Sequence, residues 1–244
     1  SDKVFNNLNL VFFMATSEVA QNYVKIALEN NCVVIDNSST FRLNEDVPLV
    51  VPEVNFNIIT PKDRLIANPN CSTIQLVLTL YALSKINKIK RVDVSTYQAV
   101  SGAGKNGIKE LQTQIQNFPE ISTKYFPYPI LYNAIPQIDS FTSSGYTKEE
   151  LKVIQESQKI LNKKFSISCT AVRIPIEVGH SESVSVVFES EVNLDLVNQA
   201  FKGTENIIVL DDTEKQIYPL AQFCKDRVEV SVGRIRKDYY NPNI

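Results

Sequence analysis

Apolar runs and one stretch of helical spacing alternate along the first part of the chain. Residues 9–14 predict a buried strand. Residues 17–30 predict a helix, because their apolar positions recur every three to four residues. Strands separated by helices are typical of a parallel sheet, whose ligands bind beyond the carboxyl ends of the strands. The other apolar runs are residues 32–36, 49–51 and 65–67, and the loops expected to share one crevice are residues 15–16, 37–42 and 68–71.

Strands predominate in the second part of the chain. Residues 92–97 alternate in polarity and predict a strand, and residues 108–118 predict a helix. Residues 119–136, rich in proline and tyrosine, predict an irregular connection. Thr147 and Glu150 form a capping box that opens another helix. Together these patterns indicate an α+β arrangement with a mixed sheet. The later predicted elements are strands at 167–174, 184–188, 207–210 and 228–235 and a helix at 194–201.

Composition and charge exclude several classes of partner. An apolar content of 43% and a charged content of 21% over 244 residues are ordinary for a soluble globular protein. The net charge of −2 gives no support for a nucleic-acid partner. No apolar run approaches the roughly 20 residues that span a bilayer, so we expect no membrane partner.

The number and spacing of the cysteines and histidines limit the kinds of metal and disulfide site that the chain can form. The cysteines are far apart with no CxxC pair, which argues against zinc and disulfides and for a reducing, cytoplasmic location. His180 is the only histidine, so a hydrolytic metal site built on several histidines is excluded. We therefore predict no metal site. The four cysteines are Cys32, Cys71, Cys169 and Cys224.

Cys71 lies where a predicted strand turns into a predicted helix at residues 74–83. Backbone N–H groups at a helix start have no partner inside the helix, and the dipole there favours negative charge. A cysteine in that place loses its proton more easily, and its thiolate is a nucleophile. A small buried core residue is the alternative interpretation. On this segment alone the two interpretations are about equally supported.

Gly102, Gly104 and Gly107 form a GxGxxG pattern between a predicted strand and a predicted helix. This context is typical of a dinucleotide-binding turn, but the acidic residue expected about 20 positions later is missing. A Walker A loop is excluded, because Ala99 replaces its first glycine and Asn106 its hydroxyl residue. Two interpretations remain: a loop that exposes its backbone beside a ligand, and a turn without a ligand.

The cysteine and the histidine lie in distinctive motifs. Cys71 lies in Asn-Pro-Asn-Cys-Ser-Thr (residues 68–73), and His180 in Arg-x-Pro-x-x-x-Gly-His-Ser-Glu (residues 173–182). A cysteine and a histidine are the minimal set for acyl chemistry through a thioester, and an arginine can clamp a carboxylate. These motifs resemble the aspartate-β-semialdehyde dehydrogenase family over nearly the whole chain. Further matching segments are residues 36–42, 51–55, 98–104, 133–136 and 232–236.

The resemblance implies a fold and an activity. The fold is α/β: a partial Rossmann-like parallel-sheet domain (residues 1–70), then an α+β catalytic and dimerisation domain with a mixed sheet (residues 71–244). The family reduces aspartyl phosphate with NADPH to the semialdehyde and phosphate, or runs the reverse, on the route to lysine, threonine and methionine. It forms homodimers through the sheet of the second domain.

The resemblance also assigns roles to residues. It implies Cys71 as the nucleophile that forms a thioacyl intermediate and His180 as the general acid/base. Gln98 orients that intermediate, and Asn70 with the backbone N–H of Cys71 stabilises its oxyanion. The other positions are Arg173 for the substrate α-carboxylate, Glu149 for the α-amino group, Lys152 and Arg42 for the phosphate, and Ser101, Gly102 and Gly104 for NADP(H). Glu149 and Lys152 are three positions apart on one helix face, and this spacing alone favours a solvent-exposed ion pair between them.

Two features depart from the family. Its opening glycine-rich turn has no counterpart here, and it continues into a final helix where this chain ends at Ile244. We expect both ends of the dinucleotide-binding domain to be missing. Residues 14–16 are Met-Ala-Thr, where the family usually has glycines. We therefore predict that NADPH binds this chain weakly or not at all.

Three alternative functions are open. An N-acetyl-γ-glutamyl-phosphate reductase shares the chemistry, but its nucleophile segment usually has glycine where Asn70 stands. A cysteine hydrolase could use Cys71 and His180 without nucleotide. A non-catalytic, dimerising paralogue is the third alternative, and the joint presence of Cys71, Gln98, Arg173 and His180 argues against it.

Overall fold

The structure is a computed structural model that describes residues 2–244, with side chains from Val4 onward. The chain forms two compact units. The first contains residues up to Leu78 together with Gln155–Lys164, and the second contains Thr79–Ile154 and Phe165–Ile244. Residues 71–78 and 155–164 thus group with the first unit, whereas the sequence-based division is a single cut after residue 70.

A three-stranded parallel sheet forms the centre of the first unit. Its strands, in spatial order, are β1 (Leu10–Phe13), β2 (Val33–Asp36) and β3 (Leu65–Ala67). Helix α1 (Ser17–Glu29) connects β1 to β2, and helix α3 (Cys71–Ser84) begins after β3. The predicted parallel sheet with a crossover helix is therefore confirmed.

The helical spacing of α1 places its small and branched residues against the sheet. Ala20, Val24 and Ala27 are buried and belong to one core cluster with Phe13 of β1 and Val34 of β2. Residues at this spacing share a helix face, so their burial brings α1 onto the sheet.

Residues 49–51, predicted as a strand, do not form one. Leu49 makes only an isolated parallel bridge to Ala67, and helix α2 (Pro52–Asn55) begins directly after Val51. Pro52 has no backbone N–H for a sheet ladder, and its fixed φ angle suits the first position of a helix. The run is apolar because it is buried, not because it is a strand.

A mixed three-stranded sheet forms the centre of the second unit. Strand β4 (Ile89–Gln98) lies in the middle, parallel to β5 (Ser166–Arg173) and antiparallel to β6 (His180–Phe188). The predicted mixed sheet is therefore confirmed. Strands β7 (Ile207–Val209) and β8 (Val230–Val232) form a separate parallel pair.

The capping box predicted at Thr147 is confirmed. Thr147 Oγ1 accepts from the Glu150 N–H (3.3 Å), and Glu150 Oε2 accepts from the Thr147 N–H (2.6 Å). The other oxygen of Glu150 accepts from the N–H of Ala171 in β5 (3.0 Å), so the capping residue also fixes the start of its helix to the sheet. The helices beyond α3 are α4 (Gly104–Gln116), α5 (Lys148–Leu161) and α6 (Leu194–Lys202).

Four elements begin three or four residues earlier than predicted. Helix α3 begins at Cys71 instead of residue 74, helix α4 at Gly104 instead of residue 108, strand β4 at Ile89 instead of residue 92, and strand β6 at His180 instead of residue 184. The first four residues of β6 are polar, so no apolar alternation marks them as a strand. Their pairing with β4 defines them, and it makes His180 the first residue of a strand.

Within residues 2–244, no helix is long and apolar enough to cross a membrane. Over the same range, no three His, Cys, Asp or Glu side chains group closely enough to hold a metal ion.

Candidate active site

Gln98, the last residue of β4, lies between two other predicted site residues in the mixed sheet. Gln98 pairs with Arg173, the last residue of β5, and with His180, the first residue of β6. Strands β4 and β5 are parallel and β6 runs back beside them, so two strand ends and one strand start meet at this edge. The sheet register therefore brings an arginine, an amide and an imidazole into one row.

The backbone of Ala99 contacts both the histidine and the arginine. Its N–H donates to Nδ1 of His180 (3.1 Å), and its carbonyl oxygen accepts from Nη1 of Arg173 (2.7 Å). The pKa of His180 lies below its ordinary value, chiefly because burial disfavours the imidazolium. The Gly179 carbonyl and Glu149 act in the opposite direction, and the positive charge of Arg173 acts with burial.

A chain of polar contacts extends from Gln98 into helix α5. Gln98 Nε2 donates to Glu149 Oε1 (3.3 Å), and Lys152 Nζ donates to Glu149 Oε2 (3.3 Å) and to Asp139 Oδ2 (3.1 Å). Burial alone would lower the pKa of Lys152, but the two carboxylates outweigh it and raise that pKa. Lys152 is therefore held as a cation between Glu149 and Asp139.

Sequence reasoning missed Asp139. It lies in the loop before α5 with a φ angle of 67°, a left-handed conformation that aspartate tolerates better than most residues. Burial raises its pKa, but the Ser140 N–H and Lys152 outweigh burial, so the pKa of Asp139 lies below its ordinary value. No local pattern marks it, because its partner comes from the helix that follows.

Gly102 is the close neighbour of the arginine and the histidine. A Cβ built at Gly102 would lie 2.6 Å from Nη1 of Arg173 and 3.3 Å from Nε2 of His180. Any other residue at this position must displace one of the two side chains. Steric exclusion by Arg173 and His180 thus explains why glycine occupies the first position of the GxGxxG pattern, without any role for a nucleotide.

Backbone conformation and close packing explain the glycines at the other two positions of the pattern, Gly104 and Gly107. Gly104 begins α4 with a φ angle of 73°, which favours glycine, and has no atom within 4 Å of its would-be Cβ. A Cβ at Gly107 would lie 2.5 Å from the carbonyl oxygen of Val100. Ser101 is fixed by its N–H, which donates to the carbonyl of Glu177 (3.1 Å).

We expect Gly102→Ala to lower kcat/KM on the order of 10²-fold, because displacing a binding or catalytic group by about 1 Å has effects of that size. Steady-state kinetics would measure it. Gly203→Ala, at the end of α6 with a φ angle of −89°, is the matched control and should leave the kinetics unchanged. Equal kinetics for Gly102→Ala and the wild type would show that the side chains have room.

In the first unit, Cys71 is the first residue of α3 and is exposed. Asn70 caps this helix: its Oδ1 accepts from the N–H groups of Ser72 (3.0 Å) and Thr73 (3.3 Å). The thiol therefore lies at the positive end of a helix of 14 residues, where a thiolate is favoured. The alternative of a buried core cysteine is wrong for Cys71, although it holds for Cys32.

A buried carboxylate connects Arg42 to the cysteine segment within the same unit. Glu156 Oε1 accepts from Arg42 Nη1 (3.0 Å), and Glu156 Oε2 accepts from the N–H of Asn70 (2.7 Å). Arg42 Nη2 donates to the carbonyl of Asn37 (2.8 Å). Sequence reasoning missed Glu156, although it lies one turn after Lys152 on α5, a spacing that predicts neighbours on one helix face.

We expect Glu156→Ala to lower the free energy of unfolding by about 3–5 kcal/mol, because it leaves Arg42 buried without its partner. Urea unfolding would measure it. Glu189→Ala is the matched control: it breaks the exposed ion pair with Lys88 and should change stability by less than about 1 kcal/mol. A Glu156→Ala chain as stable as the control would contradict the structural role of this pair.

The structure therefore groups the predicted site residues in two sets. The second unit brings together Gln98, Glu149, Lys152, Arg173 and His180, with Gly102 beside the last two. The first unit connects Arg42 through Glu156 to Asn70, the residue before Cys71.

Two family models together match most of the chain. Residues 1–60 match the semialdehyde dehydrogenase NAD binding domain, and residues 80–244 match the semialdehyde dehydrogenase dimerisation domain. The aspartate-semialdehyde dehydrogenase of Campylobacter jejuni is 46% identical over 98% of this chain and 72% of its own length.

Solved structures show the same fold. Aspartate semialdehyde dehydrogenase II of Vibrio cholerae, complexed with ASA, has a TM-score of 0.91 and 38% identity over 96% of this chain and 71% of that chain. The enzyme of Candida albicans with NADP has a TM-score of 0.70 and 25% identity over 96% of this chain and 70% of that chain. On its sequence, its two domain matches and its fold, the chain belongs to the aspartate-semialdehyde dehydrogenase family.

Proposed function

We propose that this chain interconverts aspartate semialdehyde and aspartyl phosphate in amino-acid biosynthesis, through a thioester on Cys71. The observation that carries the proposal is the row of Arg173, Gln98 and His180 at one edge of the mixed sheet. It supplies a carboxylate-binding arginine and two hydrogen-bonding groups, which acyl chemistry on an amino acid requires. The name of the Campylobacter jejuni relative supports this choice of substrate.

The chemistry in the oxidative direction starts at the thiol. The Cys71 thiolate adds to the aldehyde carbon, and the carbonyl electron pair moves to oxygen. Loss of hydride re-forms the carbonyl and leaves a thioester. A phosphate oxygen then attacks the thioester carbon, and the C–S bond breaks with its electrons on sulfur, which yields the acyl phosphate. A nicotinamide cofactor, when bound, takes up the hydride.

The residues around the row have complementary roles in the proposal. Arg173 binds the α-carboxylate of the substrate, and Glu149 accepts from its α-amino group. Lys152, a cation between two carboxylates, binds the phosphate. Arg42 is the other phosphate residue of the proposal, and its Nε is buried without a hydrogen-bond partner in the described part of the chain.

The proposed oxyanion donors lie at the start of α3. The proposal assigns the oxyanion to Asn70 and the backbone N–H of Cys71, and Oδ1 of Asn70 caps the helix by accepting from the N–H groups of Ser72 and Thr73. The glycine that the N-acetyl-γ-glutamyl-phosphate reductases usually have at this position has no side chain to form this cap.

The residues at the start of α4 fit a nucleotide. The helix begins without a side-chain cap and with open space at Gly104, so Ser101, Gly102 and Gly104 can present backbone to a cofactor phosphate. We expect binding to be weak, because the turn between β1 and α1 contains no glycine that would let a ligand approach its backbone.

The second unit supports a homodimer. It matches a dimerisation domain, and β4 alternates buried residues with outward-facing ones along one open face of the sheet. We propose this face as the contact between two copies. The outward-facing residues of β4 are Arg91, Asp93, Ser95 and Tyr97.

The deciding experiment is oxidation of aspartate semialdehyde with and without phosphate and NADP. The proposal expects absorbance of reduced cofactor only when both are present. Turnover without nucleotide would favour a cysteine hydrolase, and activity on the N-acetyl-γ-glutamyl substrate would favour the other reductase. An inactive chain, unchanged in all assays by Cys71→Ala, would favour the non-catalytic paralogue. A parallel titration that gives a micromolar Kd for NADPH would contradict weak cofactor binding.

A further inference from the structure

A short segment of the second unit, Pro219–Ala221, packs against two glycines that are far apart in sequence. Gly179 precedes the first residue of β6, and Gly233 follows the last residue of β8. A Cβ built at Gly179 would lie 2.5 Å from the carbonyl oxygen of Ala221, and one built at Gly233 would lie 2.6 Å from Cδ of Pro219. We call Pro219–Ala221 the bridging segment, because it contacts both glycines.

The Gly233 end of the bridging segment is fixed by its neighbours. The chain turns back after β7, where Asp212 and Ile217 exchange two backbone hydrogen bonds (3.0 and 2.8 Å). The two carboxylate oxygens of Asp211 accept from the N–H groups of the two residues after Gly233 (2.8 and 3.1 Å). A Cβ at Gly233 would also overlap the carbonyl oxygen of Leu210. The backbone is therefore closely packed at this end.

The Gly179 end of the bridging segment leads directly into His180. Gly179 has a φ angle of 94°, which favours glycine, and the three atoms nearest to its would-be Cβ are all backbone atoms of Ala221. The same turn is also bonded to the connection after β4, because the N–H of Val100 donates to the carbonyl of Ile176 (2.9 Å). Two separate parts of the chain thus hold the turn that precedes the histidine.

We propose that the bridging segment, with Asp211 and Gly233 behind it, positions His180. Its contact with Gly179 fixes the first residue of β6 against the end of β4. The segment touches no reacting atom and acts only through the imidazole. This assignment gives a role to Gly233, which the proposed function does not use. The effect on turnover rests on the proposed function, whereas the effect on the ring does not.

The first test is NMR titration of the full chain with ¹⁵N-labelled histidine, in which His180 is the only histidine. Pro219→Gly removes the ring that packs against Gly233 and frees the backbone of the bridging segment. Burial is the chief cause that lowers the pKa of His180, so a less firmly placed ring should titrate closer to its ordinary value of 6.5. We expect the midpoint to rise in Pro219→Gly and in Gly179→Ala. Wild-type midpoints in the folded variants would overturn the proposal.

Gly145→Ala is the matched control for Gly179→Ala. Gly145 has a φ angle of 83°, but its would-be Cβ meets no atom within 4 Å. The control therefore introduces similar backbone strain without a new contact, and its midpoint should equal that of the wild type. An equal rise in the control would overturn the proposal, because strain and not the contact with Ala221 would then move the ring.

The second test measures kcat and KM for aspartate semialdehyde in the same variants. Gly179→Ala should lower kcat on the order of 10²-fold, because the new Cβ displaces the residue beside it, and displacing a catalytic group by about 1 Å has effects of that size. Pro219→Gly should lower kcat less, by about tenfold. KM should stay near its wild-type value, since neither substitution touches Arg173 or Glu149. A raised KM with unchanged kcat would overturn the role at His180.

The two tests separate the positioning from the proposed function. A wild-type chain that does not oxidise the semialdehyde would overturn the proposed function, and the effect on turnover with it. The NMR midpoints would still decide whether the bridging segment places the ring. Pro219→Gly introduces no overlap, so it decides the outcome if Gly179→Ala does not fold.

Discussion

Cys71→Ser should lower kcat for aspartate semialdehyde oxidation on the order of 10³-fold or more. Serine keeps the size and position of the side chain at the start of α3. Its hydroxyl, however, stays protonated at neutral pH, so the helix end has no thiolate to stabilise. Loss of a covalent nucleophile has effects of at least this size in enzymes that use one. Steady-state kinetics under saturating phosphate would measure the change.

Cys224→Ser is the matched control for this substitution. Cys224 is partly buried, and its thiol donates only to the carbonyl of Leu220 (3.6 Å). The control should keep wild-type kinetics and the rapid alkylation of Cys71 by iodoacetamide. If Cys71→Ser kept more than about a tenth of the wild-type kcat, a thioester route would be untenable.

Arg173→Lys should raise KM for aspartate semialdehyde about 10²-fold. The guanidinium of Arg173 is 5% exposed and donates from Nη1 to the carbonyl of Ala99, which fixes its position. In the proposed function this guanidinium also binds the substrate carboxylate. A lysine ammonium is a point donor and cannot keep the backbone contact and two parallel bonds to a carboxylate. Loss of charge-assisted bonds of about 1.5–3 kcal/mol gives a change of this size.

Arg227→Lys is the control for this second substitution. Arg227 is exposed in the segment before β8 and lies outside both the candidate site and the proposed dimer face, so lysine can replace it. The control should leave KM unchanged. Wild-type KM in Arg173→Lys, with circular dichroism confirming a folded chain, would remove Arg173 from the substrate site.

The elements that sequence predicted well are those whose burial is local and periodic. Helix α1 is an example: Ala20, Val24 and Ala27 recur at helical spacing and all face the core. The capping box of Thr147 and Glu150 is another, because both partners lie within one helical turn. In these cases the information lies within a few residues.

The elements that sequence missed depend on distant partners. Strand β6 starts at His180 because β4 lies beside it, although its first residues are polar. Residues 49–51 have the composition of a strand, but Pro52 ends the run and only one bridge forms. Burial and secondary structure are separate properties, and a short apolar run reports only the first.

The same distinction holds for the glycine pattern. In sequence, Gly102 and Gly104 resemble a dinucleotide turn and leave two interpretations open. In the structure, Gly102 gives room to Arg173 and His180, which come from two other strands. Its requirement for glycine is tertiary, so no spacing rule could reveal it.

By itself, the sequence determined the parallel and mixed sheets, the family motifs and the place of Cys71 at a helix start, because each depends on local spacing. Only the tertiary structure decided the relation of Ala99 to Arg173 and His180, which lie 74 and 81 positions away. It also placed Glu156 between Arg42 and Asn70. These contacts follow from strand register and helix packing, which the local spacing of residues does not reveal.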